Sequence, residues 1–292
     1  MTQNLTTFFK LNAMKRNFAI PFLLSALACS TASLANTNAV TSCYDSKLVA
    51  SNTAPLQEIF VIIDQTTLLD DILKQSVANQ IRPFIAAGNG FSVLVFSAFT
   101  QGKYTQLLTS GQLDHPLPAA QRNDVSKPRL AKFDHCMTQQ SAQAMQAVGG
   151  ALRTSFDGTS GDIAKSDVLA SLKDISGKVK QSPAIEKVVL LVSDMLENSS
   201  ISSFYANHAV RRIEPERELK LATDNQLLGN FGDAHVYVIG AGLLSDDGKK
   251  NKAAYRDPKT MQALFSFWNA YFEKSKAQLM EFGQPALLNQ IK

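Results

Sequence analysis

The chain has 292 residues with 29 basic and 25 acidic side chains, long enough for one sizeable core and without the concentrated basic face that nucleic-acid binding needs. Three of the basic residues, Lys10, Lys15 and Arg16, fall in the first 35 positions, which hold no acidic residue, so the remainder is nearly neutral at 26 against 25. No nucleic-acid partner is expected.

From Met14 the order is basic Lys15-Arg16, an apolar stretch from Phe18 to Ala28, and a small-residue exit with Ser33 and Ala35 preceding Asn36. That order predicts a secretory signal peptide within residues 1–35, and a periplasmic or secreted location. The apolar run is about half of the ~20 residues a membrane span requires, and no later segment comes close, so no transmembrane helix is expected after signal removal. Cys29 inside this region opens a lipoprotein alternative, although Ala26 stands where a lipobox usually has leucine. Beyond the cut two cysteines remain, Cys43 and Cys136. An even pair in an exported chain predicts a disulfide, with two free buried thiols as the alternative.

Residues 36–56 read as an irregular tail, and 57–288 as one α/β domain. Ile59 to Ile63 is almost wholly aliphatic, as a strand buried on both faces should be. Thr67-Leu68-Leu69-Asp70 reads as a capping box, and Leu69, Leu73, Val77 and Ile81 then recur at helical spacing until Pro83. Phe91 to Phe96 is a second buried strand, and Tyr104 to Leu113 a third that returns antiparallel at the sheet edge. Residues 114–130, broken by Pro116, Pro118 and Pro128, read as a surface excursion. Phe133, Met137, Ala144 and Val148 predict a helix, and Ile163, Val168, Leu169, Leu172 and Ile175 another starting near Asp162, with Gly149-Gly150 and the segment from Gly158 to Gly161 as punctuation between them. Strand Val188 to Val192 ends at Ser193-Asp194. A long insertion at about 195–233, helical from Glu214 to Leu221, precedes strand Val236 to Ile239. Met261, Leu264, Phe265, Trp268, Tyr271 and Phe272 form a helical stripe that reads as core, and Leu279 to Leu288 adds a last short strand. Strands alternating with helices predict a doubly wound, mostly parallel sheet flanked by helices on both faces, with one antiparallel edge strand.

In such a sheet, ligands sit beyond the carboxyl ends of the strands, near the point where the strand order reverses. Those ends carry Asp64-Gln65-Thr66, Ser97 to Thr100, Ser193-Asp194 and Gly240-Ala241-Gly242. Carboxylates and hydroxyls are the donors that hard divalent cations prefer. In element order and in these residues the chain resembles the von Willebrand factor A family over about 57–288. That family places an Asp-x-Ser/Thr-x-Ser motif after its first strand, a threonine in a later loop and an aspartate after the fourth strand, together holding a metal. The resemblance implies Asp64, Thr66 and Asp194 as ligands of Mg2+ or Mn2+. Ser193 is a further possible donor. Leu68 occupies the third motif position and Gly161 the threonine position, so Thr159 or Ser160 stands in only if that loop is shifted. Without metal, Asp64 serves as a turn or helix cap.

Catalytic alternatives find fewer residues. A haloacid-dehalogenase-type phosphatase needs a second acid where Thr66 stands, a receiver domain needs a lysine that Gly240-Ala241-Gly242 does not supply, and no Gly-x-Ser-x-Gly elbow occurs. The four histidines show no zinc spacing. The Gly240-Ala241-Gly242 segment reads as a turn and not as a dinucleotide loop. The insertion leaves from beside Asp194, and its Glu197, Asn198, Phe204, Tyr205, Arg211 and Arg212 form a candidate partner-binding loop, with an ordinary buried insert as the alternative. The expectation is an exported, non-enzymatic module that binds another protein in the cell envelope. Metal-assisted phosphoester hydrolysis, or a structural accessory of an envelope complex with a degenerate metal site, is the alternative.

Overall fold

The computed structural model describes residues 38–48, 54–100, 103–159, 166–206, 209–243 and 257–292. The signal segment, Cys29, His208 and residues 160–165, with Ser160, Gly161 and Asp162 among them, lie outside them. Six strands form the main sheet: β1 (Gln57–Asp64), β2 (Gly90–Thr100), β3 (Lys103–Gln112), β4 (Glu186–Val192), β7 (Ala234–Ile239) and β8 (Ala277–Phe282). Their order is β3-β2-β1-β4-β7-β8, and β5 (Tyr205–Ala206) and β6 (Ala209–Val210) form a separate two-stranded ribbon. All main-sheet neighbours are parallel except β2 and β3, which are antiparallel. This is the doubly wound architecture that the sequence and the family resemblance imply, with its one antiparallel strand at an edge.

The strand period explains the layers. Phe60 and Ile62 of β1 point to one face, where they pack with Val168 and Leu172 of α4 (Val168–Gln181) and Leu264 and Trp268 of α6 (Pro258–Lys274). Ile59, Val61 and Ile63 point to the other, with Leu73 and Val77 of α1 (Asp71–Ile81) and Val148 and Leu152 of α3 (Lys127–Asp157). The short α2 (Ala119–Arg122) precedes α3, and α5 (Pro215–Asp224) sits in the long insertion. The aromatic stripe of α6 is core as expected, with Phe267 also fully buried and Phe265 only partly so.

Several local details differ from the sequence reading. Asp70, not Thr67, caps α1, its carboxylate accepting from Leu73 N at 2.8 Å. Helix α3 starts at Lys127, inside the expected excursion, because Pro128 sits in its first turn, where a missing N–H costs nothing. It also runs through Gly149-Gly150 to Asp157, since Val148, Ala151 and Leu152 bury on either side of the pair. Helix α4 begins at Val168 with Asp167 as its cap. The last strand stops at Phe282 because Gly283 turns the chain so tightly that a Cβ there would lie 2.7 Å from the Ala286 carbonyl carbon.

Both ends of the described fold are tied down. Asn38 lies parallel to Ser110 of β3, with Ala39 N donating to Ser110 O at 2.9 Å. The disulfide expected from the sequence joins Cys43 to Cys136 of α3 across a separation of 93 residues. Beside it, the Asp114 carboxylate accepts from Cys43 N at 2.6 Å and from Gln140 Nε2 at 2.8 Å. At the other end Ile291 is buried against the α1 face, and the Gln80 side chain accepts from Ile291 N and donates to Asn289 O. Among the described residues, no helix is long and apolar enough to cross a membrane.

Candidate functional site

The crossovers leave β1 and β4 in opposite directions, and these two strands are neighbours with Ile63 paired to Val192. The residue that follows each pair, Asp64 on one strand and Ser193 on the other, therefore meets at the switch point of the sheet. Asp64 is 0% and Asp194 5% exposed, so the fold has taken two carboxylates out of water and must satisfy them internally.

It does so with hydroxyls and backbone amides. One oxygen of Asp64, Oδ1, accepts from Thr66 N at 2.9 Å and from Thr66 Oγ1 at 2.6 Å. The other, Oδ2, accepts from Ser193 Oγ at 2.9 Å and from Ser166 Oγ at 3.2 Å. Asp194 Oδ1 accepts from Leu196 N at 2.8 Å, and Oδ2 from the Tyr205 hydroxyl at 3.0 Å. The two loops are stitched together by Asp194 N, which donates to Thr67 Oγ1 at 2.9 Å. Gly242 N donates to Asp194 O at 2.7 Å, and this brings the Gly240-Ala241-Gly242 turn, left-handed at both glycines, against the same edge.

Burial raises the Asp64 pKa, against the opposing pull of the Thr66, Ser193 and Ser166 bonds. Asp194 is pushed well above the usual carboxylate range, first by burial and then by the charge of Asp64. Neither forms an ion pair among the described residues. A second acid follows on the same loop. Glu197 is fully buried, with Oε2 accepting from Leu169 N at the start of α4 at 2.9 Å and Oε1 without a hydrogen-bond partner. Burial lifts its pKa to about 8, opposed by the Ser199 and Leu169 donors and assisted by the charge of Asp167.

Of the expected ligands, Asp64, Thr66, Ser193 and Asp194 come together. Thr159 does not join them; its hydroxyl donates to Ser155 O at the end of α3. Ser166, which the motif comparison did not single out, supplies the later-loop hydroxyl from just before the α4 cap. Among the described residues no group of three or more His, Cys, Asp or Glu side chains has metal-holding geometry. The donor set still fits a small hard cation, which takes one or two carboxylates and completes its shell with hydroxyls and water. The Thr66, Ser166 and Ser193 hydroxyls can turn their lone pairs toward an ion, and among the described residues no positive side chain is paired with the two buried carboxylates.

The loop expected to contact a partner is divided in two. Phe204 is fully buried, edge-on to Phe267 at 5.3 Å, and Arg211 lies over its ring and pairs with buried Glu218 at 2.7 Å. These residues fold the insertion and do not face solvent as a contact pair, because a buried aromatic ring contributes more to the core than to a free surface. Glu197 is likewise internal. Asn198 and Tyr205 are partly exposed and Arg212 is exposed. The groove of about 600 Å3 between α1 and the C-terminal tail, lined by Ile72, Gln75, Asn79 and Gln290, contains none of the crest residues.

No family model matches the chain, and no curated protein matches it. Among solved structures, the chain is similar to an aerotolerance-related membrane protein from Bacteroides fragilis, crystallised with multiple mutations to serines. The two are 8% identical, and the match covers 80% of this chain and 92% of that one with a TM-score of 0.34. The class of the fold, a doubly wound, mostly parallel α/β sheet with one antiparallel edge strand, is defined by the chain's own strand order and pairing.

Proposed function

We propose that this chain is an exported, non-enzymatic module that recognises another protein in the cell envelope through the carboxyl crest of its sheet. The observation that carries the proposal is the sealing of both crest carboxylates. A nucleophile or general base must reach its substrate, whereas Asp64 is wholly enclosed by Thr66, Ser166 and Ser193. That arrangement favours a recognition frame over phosphoester hydrolysis. The proposal includes a divalent cation, Mg2+ or Mn2+, on Asp64, Thr66, Ser193 and Asp194, which would displace the hydroxyl hydrogen bonds that now enclose Asp64, neutralise the pair and offer an open coordination position to a carboxylate of the partner. The Cys43–Cys136 disulfide supports an oxidising compartment, periplasmic or secreted.

Thermal melting of the protein with Mg2+, Mn2+ or EDTA, repeated on Asp64→Ala and Asp194→Ala, tests the cation. Metal at 100 times its Kd should stabilise wild type by about 2.7 kcal/mol and leave both variants unmoved. A wild-type midpoint that ignores metal sinks that element. Hydrolysis of p-nitrophenyl phosphate that vanishes in Asp64→Ala would overturn the non-enzymatic assignment. Capture of an envelope protein should weaken in a variant altered at Asn198 and Arg212, and capture indifferent to both would remove this loop from the recognition surface.

A further inference from the structure

We infer that Glu197 is a positioning residue of the crest: by holding the start of α4 it keeps the Ser166 hydroxyl beside Asp64, and so sets how tightly a divalent cation is held there. The inference rests on the cation binding proposed above and assigns its support to the insertion.

The donors to Asp64 are not all placed by the sheet. Thr66 follows Asp64 by two residues, and Ser193 comes directly after the Ile63–Val192 pair of β1 and β4. Ser166 lies outside the sheet, 102 positions along the chain, and reaches Asp64 Oδ2 at 3.2 Å from just before α4. Two contacts from the insertion hold it. Asn198 N donates to Ser166 O at 2.8 Å, and Glu197 Oε2 accepts from Leu169 N at 2.9 Å. The first N–H groups of a helix have no acceptor within the helix, and in α4 carboxylates meet them. Asp167 accepts from Ala170 N at 3.1 Å, but it belongs to the segment it caps and cannot fix that segment against the sheet. Glu197 can, because it follows Asp194 at the end of β4 by three residues.

Glu197 is itself fixed. Phe204 N donates to Glu197 O at 2.7 Å, Asn198 bridges to Ser203, and Phe204 packs edge-on against Phe267 of α6. The Ser199 donor to the same carboxyl is local to the insertion, so the contact with the start of α4 is the one that joins two elements. Glu197 and Leu169 are both buried. An N–H buried without an acceptor is costly, so loss of the Glu197 carboxyl shifts the start of α4 toward water and takes Ser166 with it.

Mn2+ binding is measured by calorimetry in wild type, Glu197→Ala, Glu197→Gln, Ser166→Ala and the Glu197→Ala/Ser166→Ala double variant. Val179→Ala, a buried change near the far end of α4, controls for lost stability. Glu197→Ala should bind about tenfold more weakly than wild type, the low end of the loss when an outer hydrogen-bond partner of a metal site is removed. Glu197→Gln keeps an acceptor for Leu169 N and should bind as wild type does, as should Val179→Ala. The double variant should bind no more weakly than Ser166→Ala, since Glu197 acts through Ser166. Unchanged affinity in Glu197→Ala, an equal loss in Glu197→Gln or Val179→Ala, or losses that add in the double variant would each overturn the inference and leave the cation standing. No binding to wild type or Glu197→Gln overturns both. A second readout needs no metal: hydrogen exchange in a peptide spanning residues 166–171 should be faster in Glu197→Ala than in Val179→Ala. Where Glu197→Ala does not fold, Glu197→Asp, one methylene shorter, takes its place in both measurements with the same direction expected. Equal exchange in the Glu197 and Val179 variants counts against the positioning role.

Discussion

Substituting Glu197 by Gln should remove much of the pH dependence of this protein's stability. The side chain is 0% exposed, its Oε2 accepts from Leu169 N, its Oε1 has no partner, and burial raises its pKa from 4.5 to about 8. Between those two values the folded chain keeps a proton that the unfolded chain releases. The unfolded state therefore binds fewer protons, and stability falls as pH rises through this window. The slope approaches 1.4 kcal/mol per pH unit, so this one group costs roughly 3 kcal/mol between pH 5 and pH 8. Gln keeps the acceptor for Leu169 N and has no charge to bury. At about 2–4 °C per kcal/mol for a domain of this size, Glu197→Gln should melt about 6–12 °C above wild type at pH 8. At pH 5 the two should nearly coincide. Circular dichroism melts at pH 5, 6, 7 and 8 check this. Asp64, Asp167 and Asp194 are also raised and tilt both curves in the same direction, so only the difference between the proteins reports Glu197. Parallel curves would refute the assignment of the buried proton to this residue.

Two further outcomes follow from packing and cross-linking. Cys136→Ser, or reduction of wild type, should cost up to ~4–5 kcal/mol in the chain-entropy account of a loop this long; an unchanged melting point in reductant contradicts it. Phe204→Ala should lower stability in urea titrations by about 3–5 kcal/mol, whereas exposed Arg212→Ala should stay within about 0.5 kcal/mol. Similar small effects at both positions would mean that Phe204 is not the anchor of the insertion.

Sequence and structure agree best where burial dictates composition. Strands β1, β2 and β4 lie inside the sheet and are covered by helices on both faces, so they had to be written as apolar runs, and the runs are plain in the chain. The order of elements followed from them. Helix α3 was less legible because Gly149-Gly150, which costs roughly 1 kcal/mol per glycine in helix propensity, is outweighed by the packing of Val148, Ala151 and Leu152. At the crest, Asp64, Thr66 and Asp194 could be picked out by their positions after strands. Ser166 could not, since it reaches Asp64 across 102 positions and no local spacing marks it. Thr67 shows the ambiguity of a hydroxyl: its sequence context fits a helix cap, yet its oxygen accepts from Asp194 N. Phe204 and Arg211 looked like surface chemistry because sequence alone does not reveal that buried Glu218 waits for the arginine and Phe267 for the ring.

The segment from Asn38 to Cys43 does more than bring a cysteine to α3. By lying parallel to Ser110 and engaging Gln112 N through the Asn38 side chain, it occupies part of the outer rim of β3, the last strand on its side of the sheet. An unpaired rim is a template on which a second molecule can add a strand, and proteins commonly cover such rims. Here the cover is locked by a covalent bond. The Cys43–Cys136 bond thus tethers to α3 the same short segment that covers part of this rim.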